Sequence, residues 1–475
     1  MLVLAGTLPA TAAASDARLV DAAAPAVLGT LEAAGPSAPE ATQRAYDRAR
    51  DLMEDAAAVR PSPRCRPLGA ALRRFALAAA RVPEAVDRLV PSGPARGRAA
   101  AAYTALRAAR GGCAPSGGGA AAERAPRMSP GPGEASFGTV VADAPPGADA
   151  ARLLVDGADA GPLAVRGGRA RGALRAAPGR HTVQVAFTRG GSPAGARTAR
   201  DVWVLPPGSA PARPATRRDA AAGARLAGIG TGAAPVLGLW VQDLAAGTAA
   251  GWNSGTPFPA ASTVKLSVMV AALARDPRSP ATGPLAYDLR QIGGWSSNLA
   301  ANRVLGAIGG PAAAQRVLLR LGARSSTYTG EYAVGTELQP GLPADGTSRP
   351  VPRVSRRVTT AADLARILFA VHAAAAGDRP ARSAAGLSTR AARVMLGDLL
   401  ASEQRGDNLS LLAGGARPGT LLAQKNGWLR AARGAAILYT PAGPRIAVML
   451  SYSAGGVPQA RARTLGRRVA AVAAR

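Results

Sequence analysis

Pro257-Phe-Pro-Ala-Ala-Ser262-Thr-Val-Lys265-Leu-Ser-Val-Met-Val-Ala-Ala-Leu273 is the stretch around which the chain is organised. A turn-like Pro-Phe-Pro leads into Ser-Thr-Val-Lys and then into an apolar run, which predicts a helix with Ser262 at its N-terminus. Ser262 and Lys265 are three apart and share one helical face. Lys265 is one of only two lysines, although Lys and Arg together number 58. Where arginine supplies nearly every positive charge, a retained lysine points to chemistry that needs a removable proton. Helix N-terminal amides favour developing negative charge, which suits a serine nucleophile with a lysine base.

At 475 residues the chain exceeds one core. Hydrophobic residues make up 48% and aromatics only 4%, so alanine dominates the apolar content and cores must be built from small side chains. The net charge of +29 does not indicate nucleic acid: arginines are spread through every segment, and aromatics do not interleave with them as stacking platforms. A solvated basic surface near anionic cell-wall polymers is the expectation. No His/Cys/Asp/Glu cluster with metal spacing, phosphate loop or dinucleotide fingerprint is present, so neither metal nor cofactor is expected.

In chain order, residues 1–14 are apolar and end on small residues, like the end of a signal peptide but without a basic n-region, so export is expected. Residues 15–114 predict a small helical domain holding both cysteines, Cys65 and Cys113, which an exported chain would pair as a disulfide. Residues 115–134 have linker composition. Residues 135–207 carry short Val/Leu/Thr runs between Asp-Gly, Pro-Gly and Gly-Gly turns, which predicts a small β-sandwich; His181 is expected on a strand surface there. After a second linker, residues 215–475 open with a helix over 217–227 and strands over 236–244 and 248–252, and close with strands over 421–426, 434–440 and 445–452 and a helix over 459–474. Strands at both ends with helices between them predict an α+β domain whose antiparallel sheet is assembled from both ends, set against a helical subdomain. No later uncharged apolar run reaches 18 residues, so no membrane span is expected.

A third element is Ser296-Ser297-Asn298, with Asn302 following; a fourth is Lys425-Asn426-Gly427, which holds the second lysine. Three of the five asparagines, Asn298, Asn302 and Asn426, fall in or beside these motifs. With Ser262-x-x-Lys265 they stand in the order Ser-x-x-Lys, Ser-Asp-Asn, Lys-Thr-Gly, and residues 217–475 resemble the penicillin-recognising serine hydrolases, most closely the class A β-lactamase family.

That resemblance implies roles. Ser262 is acylated, and Lys265 takes its proton, its basicity tuned by desolvation and by Lys425. Ser296 relays a proton to the leaving nitrogen, and Asn298 holds the substrate's amide side chain. Lys425 attracts the substrate carboxylate, and Asn426, Gly427 and Trp428 stand with it on the substrate-binding edge. The N–H groups of Ser262 and Trp428 form the oxyanion hole. Ser297 and Asn426 depart from the family's Asp and Thr. The family's deacylating glutamate lies on a loop after Leu321-Gly322, where Glu331 and Glu337 are the candidates and Glu331 is preferred. The expected activity is acyl-enzyme hydrolysis of β-lactams, with a place in antibiotic resistance, by a secreted monomer acting on small molecules. The alternatives are a D-alanyl-D-alanine peptidase or esterase acting on cell-wall peptides, or a penicillin-binding module with little turnover.

Overall fold

The computed structural model describes residues 128–475 apart from 232–234, 276–279, 282–284, 297, 333–356, 405–410 and 430. The expected leader, the helical domain with Cys65 and Cys113, most of the first linker, Ser297 and Glu337 all lie outside the described residues.

The first described region is a sheet of eight strands: β1 (Met128–Ser129), β2 (Ala135–Ser136), β3 (Thr139–Asp143), β4 (Ala150–Val155), β5 (Ala158–Arg166), β6 (Arg169–Ala173), β7 (Gly179–Arg189) and β8 (Ser192–Val204). Their order is β1-β3-β6-β5-β4-β7-β8-β2. The sandwich expected here is thus one continuous hydrogen-bonded sheet: β5 pairs with β4 through Ala158 to Leu163 and with β6 through Ala164 to Arg166. Val140 on β3, Ala170 on β6 and Val185 and Phe187 on β7 meet in one apolar cluster, so strands from both halves line one core. β5 and β6 escape a sequence reading because Ala, Gly, Asp and Arg dominate them, residues with little strand preference. His181 lies on β7, as expected, with Nδ1 2.7 Å from Asp156 Oδ2.

The second region is built on a six-stranded sheet. Its strands are β9 (Arg217–Arg218), β10 (Val236–Asp243), β11 (Thr248–Trp252), β15 (Leu421–Leu429), β16 (Ala431–Thr440) and β17 (Gly443–Tyr452). The numbers β12 (Phe258–Pro259), β13 (Thr327–Tyr328) and β14 (Arg357–Thr359) belong to a separate three-stranded sheet. The order β15-β16-β17-β10-β11-β9 joins the two ends of the region through the antiparallel β10–β17 ladder. The helix expected from 217 instead begins after β9, as α1 (Ala220–Gly230), because the Asp219 carboxylate accepts from Ala222 N and caps it there.

The remaining helices are α2 (Lys265–Arg275), α3 (Ala286–Trp295), α4 (Asn298–Ile308), α5 (Pro311–Arg320), α6 (Ala361–Ala376), α7 (Arg379–Ala385), α8 (Thr389–Leu400) and α9 (Gln459–Ala473). One face of the sheet packs on α1 and α9 through Leu226, Leu465 and Val469. The other face, with Ala435, Ile437 and Val448, packs on α2, α6 and α8 through Leu266, Leu368 and Met395. The strand periodicity therefore vanishes: β17 is buried from Gly443 through Ser451. Among the described residues no helix is long and apolar enough to cross a membrane.

The two regions belong to one compact unit. Glu134, fully buried, receives Arg390 Nε of α8 at 2.7 Å, and Trp203 and Leu205 join the helical core. Burial pushes the Glu134 carboxyl up, against the pull of Arg390.

Candidate active site

Ser262 lies in a 3₁₀ turn, Ala261–Val264, that runs directly into α2 at Lys265. The turn is fixed from both sides. Thr263 Oγ1 donates to Ala260 O at 2.6 Å, and Ala260 N donates to Arg357 O at 3.1 Å. Ala261 stands at φ +47°, a left-handed conformation that costs an alanine about 1 kcal/mol or more and is held by the surrounding packing.

Gly427 explains how the edge strand reaches this turn. A Cβ on Gly427 would stand 2.9 Å from Ser262 N and 3.0 Å from Ala261 Cβ. Only a glycine lets the β15 backbone come this close, and β15 is the outermost strand of the six-stranded sheet. The backbone of Trp428 follows immediately on that edge.

Ser296 closes the C-terminus of α3 in a left-handed conformation, φ +61° and ψ +27°. There it meets both lysines. Lys265 Nζ donates to Ser296 O at 2.5 Å and to Asn298 Oδ1 at 2.5 Å, while Lys425 Nζ donates to Ser296 Oγ at 2.6 Å. Both lysines are fully buried. Asn298 is the first residue of α4, so the turn between α3 and α4 sets the carbonyl and the amide around Lys265 together.

Lys425 and Gly427 share one face of β15, and Arg433, directly opposite Gly427 on β16, shares it too. Arg433 is 1% exposed, and burial pushes its guanidinium down to about 9, which leaves it charged at neutral pH. Sequence reading missed it, since one arginine among so many carries no mark. Asn426 was expected on the substrate edge. Its side chain instead lies on the opposite face, where Nδ2 reaches Gln424 Oε1 at 3.4 Å and Oδ1 sits beside Gly434, because adjacent strand residues alternate.

Glu331 is not brought against Lys265. Its side chain is exposed, and its backbone carbonyl accepts from Arg357 Nη1 at 3.0 Å. Tyr332, the next residue, enters the site instead. It is 5% exposed, and its ring centroid lies 4.3 Å from Lys265 Nζ and 4.0 Å from the guanidinium carbon of the fully buried Arg357. Asn302 clamps the Tyr332 backbone: Tyr332 N donates to Asn302 Oδ1 and Asn302 Nδ2 donates to Tyr332 O, both at 2.7 Å. Asn302, four residues after Asn298 and on the same face of α4, was marked by asparagine scarcity. Tyr332 and Arg357 carried no local signal.

Among the described residues no group of three or more His, Cys, Asp or Glu could hold a metal. The arrangement offers instead a serine on a strained turn, a lysine at the start of the helix that follows it, a second serine bridging the two lysines, and two buried basic side chains on one face of the edge strand β15 and its neighbour β16. That set is suited to acyl transfer at an amide whose substrate carries a negative charge.

Comparison with known proteins agrees with the motifs. The sequence model of the Beta-lactamase enzyme family matches residues 223–277 and 289–475, about half of the chain. No curated protein matches. Solved structures that match include the β-lactamase from Desulfarculus baarsii DSM 2075, with 22% identity over 53% of this chain and 96% of that one, TM-score 0.42. A mutant of PBP-A, in an acyl-enzyme complex with penicillin G, matches with 17% identity over 54% and 97%, TM-score 0.42. An ancestral (GNCA) class A β-lactamase matches with 20% identity over 53% and 98%, TM-score 0.40. With its three motifs in order on one buried site and the family's sequence pattern across half its length, the chain belongs to the Beta-lactamase enzyme family.

Proposed function

We infer that this protein is a serine hydrolase that forms an acyl-enzyme at Ser262 with β-lactams or the related amides of cell-wall peptides, and that it works outside the cytoplasm, where those substrates are. The observation that carries the reading is the double bridge at Ser296, whose carbonyl holds Lys265 and whose hydroxyl holds Lys425.

In this reading Ser262 Oγ attacks the carbonyl carbon and its proton passes to Lys265. The carbonyl oxygen gathers charge beside the N–H groups of Ser262 and Trp428, which the close approach of Gly427 brings near one another. As the carbon–nitrogen bond breaks, Ser296 Oγ hands its proton to the leaving nitrogen and is resupplied through the lysines. The substrate carboxylate is met by Lys425 of β15 and Arg433 of β16, two cations on one face of adjacent strands. The side-chain amide of Asn298 orients the acyl side chain while its Oδ1 keeps Lys265 in place.

The test is intact mass after incubation with benzylpenicillin, followed by peptide mapping. One adduct on the peptide that contains Ser262, absent in Ser262→Ala, is expected. An adduct of undiminished yield in Ser262→Ala would overturn the assignment.

A further inference from the structure

Hydrolysis of an acyl-enzyme has a requirement that acylation lacks. A water oxygen must bond to the acyl carbon while one water proton leaves to a base; the acyl carbon–Oγ bond then breaks, and Ser262 Oγ recovers its proton. The base has to sit within hydrogen-bond reach of a water beside the ester, and the flank of the nucleophile's turn next to Lys265 is one side from which such a water can approach.

Tyr332 lies along this flank. Its ring is over Lys265 Nζ at 4.3 Å, and its hydroxyl points to the carbonyl of Ala261, the residue before the nucleophile, at 3.5 Å. The ring therefore spans from the lysine to the nucleophile's own backbone. It is not a loose side chain. Asn302 fixes its backbone at both N and O, Arg357 stacks on it, and Arg357 in turn holds the carbonyl of Glu331. A phenol ordinarily keeps its proton until about pH 10 and is a poor proton acceptor at neutral pH. The same clamp that brings Tyr332 inward leaves the neighbouring carboxylate, Glu331, exposed.

We propose that Tyr332 is a positioning residue that fills the place a water-activating base would need, so that the acyl-enzyme on Ser262 is long-lived and the protein behaves as a slow-turnover, peptidase-like acylating enzyme rather than an efficient β-lactamase. This rests on the reading of Ser262 as the acylated residue and deepens it by deciding the fate of the acyl group. The ring has two effects: it denies the water its position, and through its π face it holds Lys265 against Ser296 and Asn298.

The experiment forms the benzylpenicillin adduct, removes free antibiotic, and follows the adduct by intact mass. Wild-type protein is expected to keep it for hours. Tyr332→Glu should shed it about a hundredfold faster than Tyr332→Gln, which has the same shape and no base. Tyr332→Phe should keep the wild-type lifetime, since the ring is retained. Each variant is scored on the adduct it forms, so a lifetime is read only from molecules with an assembled site. Should Tyr332→Glu not acylate, the wild-type lifetime still decides. Loss of the wild-type adduct within seconds, or equal release from the Glu and Gln variants, overturns this proposal and leaves the acylation reading standing. Failure of wild-type protein to form any adduct overturns the acylation reading first, and this inference with it.

Discussion

The two large sheets handle charge in opposite ways. On β5 of the eight-stranded sheet only Leu163 is buried, and arginines such as Arg152 and Arg169 stand on open faces where water supports them. On β17 of the six-stranded sheet every residue from Gly443 to Ser451 is buried, because helices cover both faces. In the first, an arginine carries almost no desolvation cost. In the second, a charge that stays must be held by fixed partners, because leaving it unpaired in a dry interior is strongly destabilising. Lys265, Lys425, Arg357 and Arg433 are all buried to within about one per cent: the two lysines meet at Ser296, Arg357 lies on the Tyr332 ring, and Arg433 stands opposite Gly427. An arginine-rich composition says little about function in one sheet and marks the site in the other.

Three measurements test that contrast. The largest effect is expected inside the covered sheet's site: Lys265→Arg should slow Ser262 acylation by about 10⁴-fold, because an arginine keeps the charge but cannot take the proton. Lys425→Arg, which preserves a cation at Ser296 Oγ, should retain measurable acylation. Equal losses, followed by the rate of adduct formation, would mean that Lys265 does not act as a base.

In the open sheet the large effect should fall on stability alone. Phe187 is 1% exposed in that sheet's core, and Phe187→Ala should cost about 3–5 kcal/mol in denaturant unfolding. The acylation rate of the folded fraction should be unchanged. A parallel loss of acylation would show the two sheets to be energetically inseparable.

The smallest effect belongs to the join between them. His372 of α6 is fully buried: Nε2 lies 3.0 Å from Pro211 O in the connecting segment, Nδ1 lies 3.1 Å from Tyr439 Oη, and its ring meets that of Phe137. Burial lowers its pKa from 6.5 to about 4. Above pH 6.5 both folded and unfolded chains carry a neutral imidazole, so it contributes no pH dependence. Between pH 6.5 and 4 the unfolded chain takes a proton that the folded protein refuses, and up to about 3 kcal/mol of stability is lost as pH falls. Unfolding at pH 7.5 and 4.5, compared with His372→Gln, isolates this slope; an equal slope in the variant would assign the effect elsewhere.

The motifs were legible because two residue types were scarce. Lys265, Lys425, Asn298 and Asn302 stand out from a chain that otherwise uses arginine and alanine, and the order of their motifs carries the family resemblance; the sheet made from two chain ends was legible separately, in strand-like runs at both ends with helices between them. What stayed hidden had no scarcity to mark it. Arg357 and Arg433 look like any other arginine until burial separates them. Asn426 looked like a site residue because strand alternation cannot be assigned to a face without its partner strand. Tyr332 became visible only when the Asn302 clamp showed which of two adjacent residues turns inward.

The narrow gap between Gly427 and Ser262 has a further consequence, for the time course of synthesis. The nucleophile's turn emerges early in this region and the glycine late, and they meet only after the C-terminal strands have paired across β10 and β17. A contact so distant along the chain carries a loop-closure cost and has to wait for the later segment to be made. A growing polypeptide therefore carries Ser262 and Lys265 for some time without the strand edge that, in the function proposed above, supplies half of the oxyanion site. In that reading it is expected to stay inert towards acylating compounds until the sheet is whole.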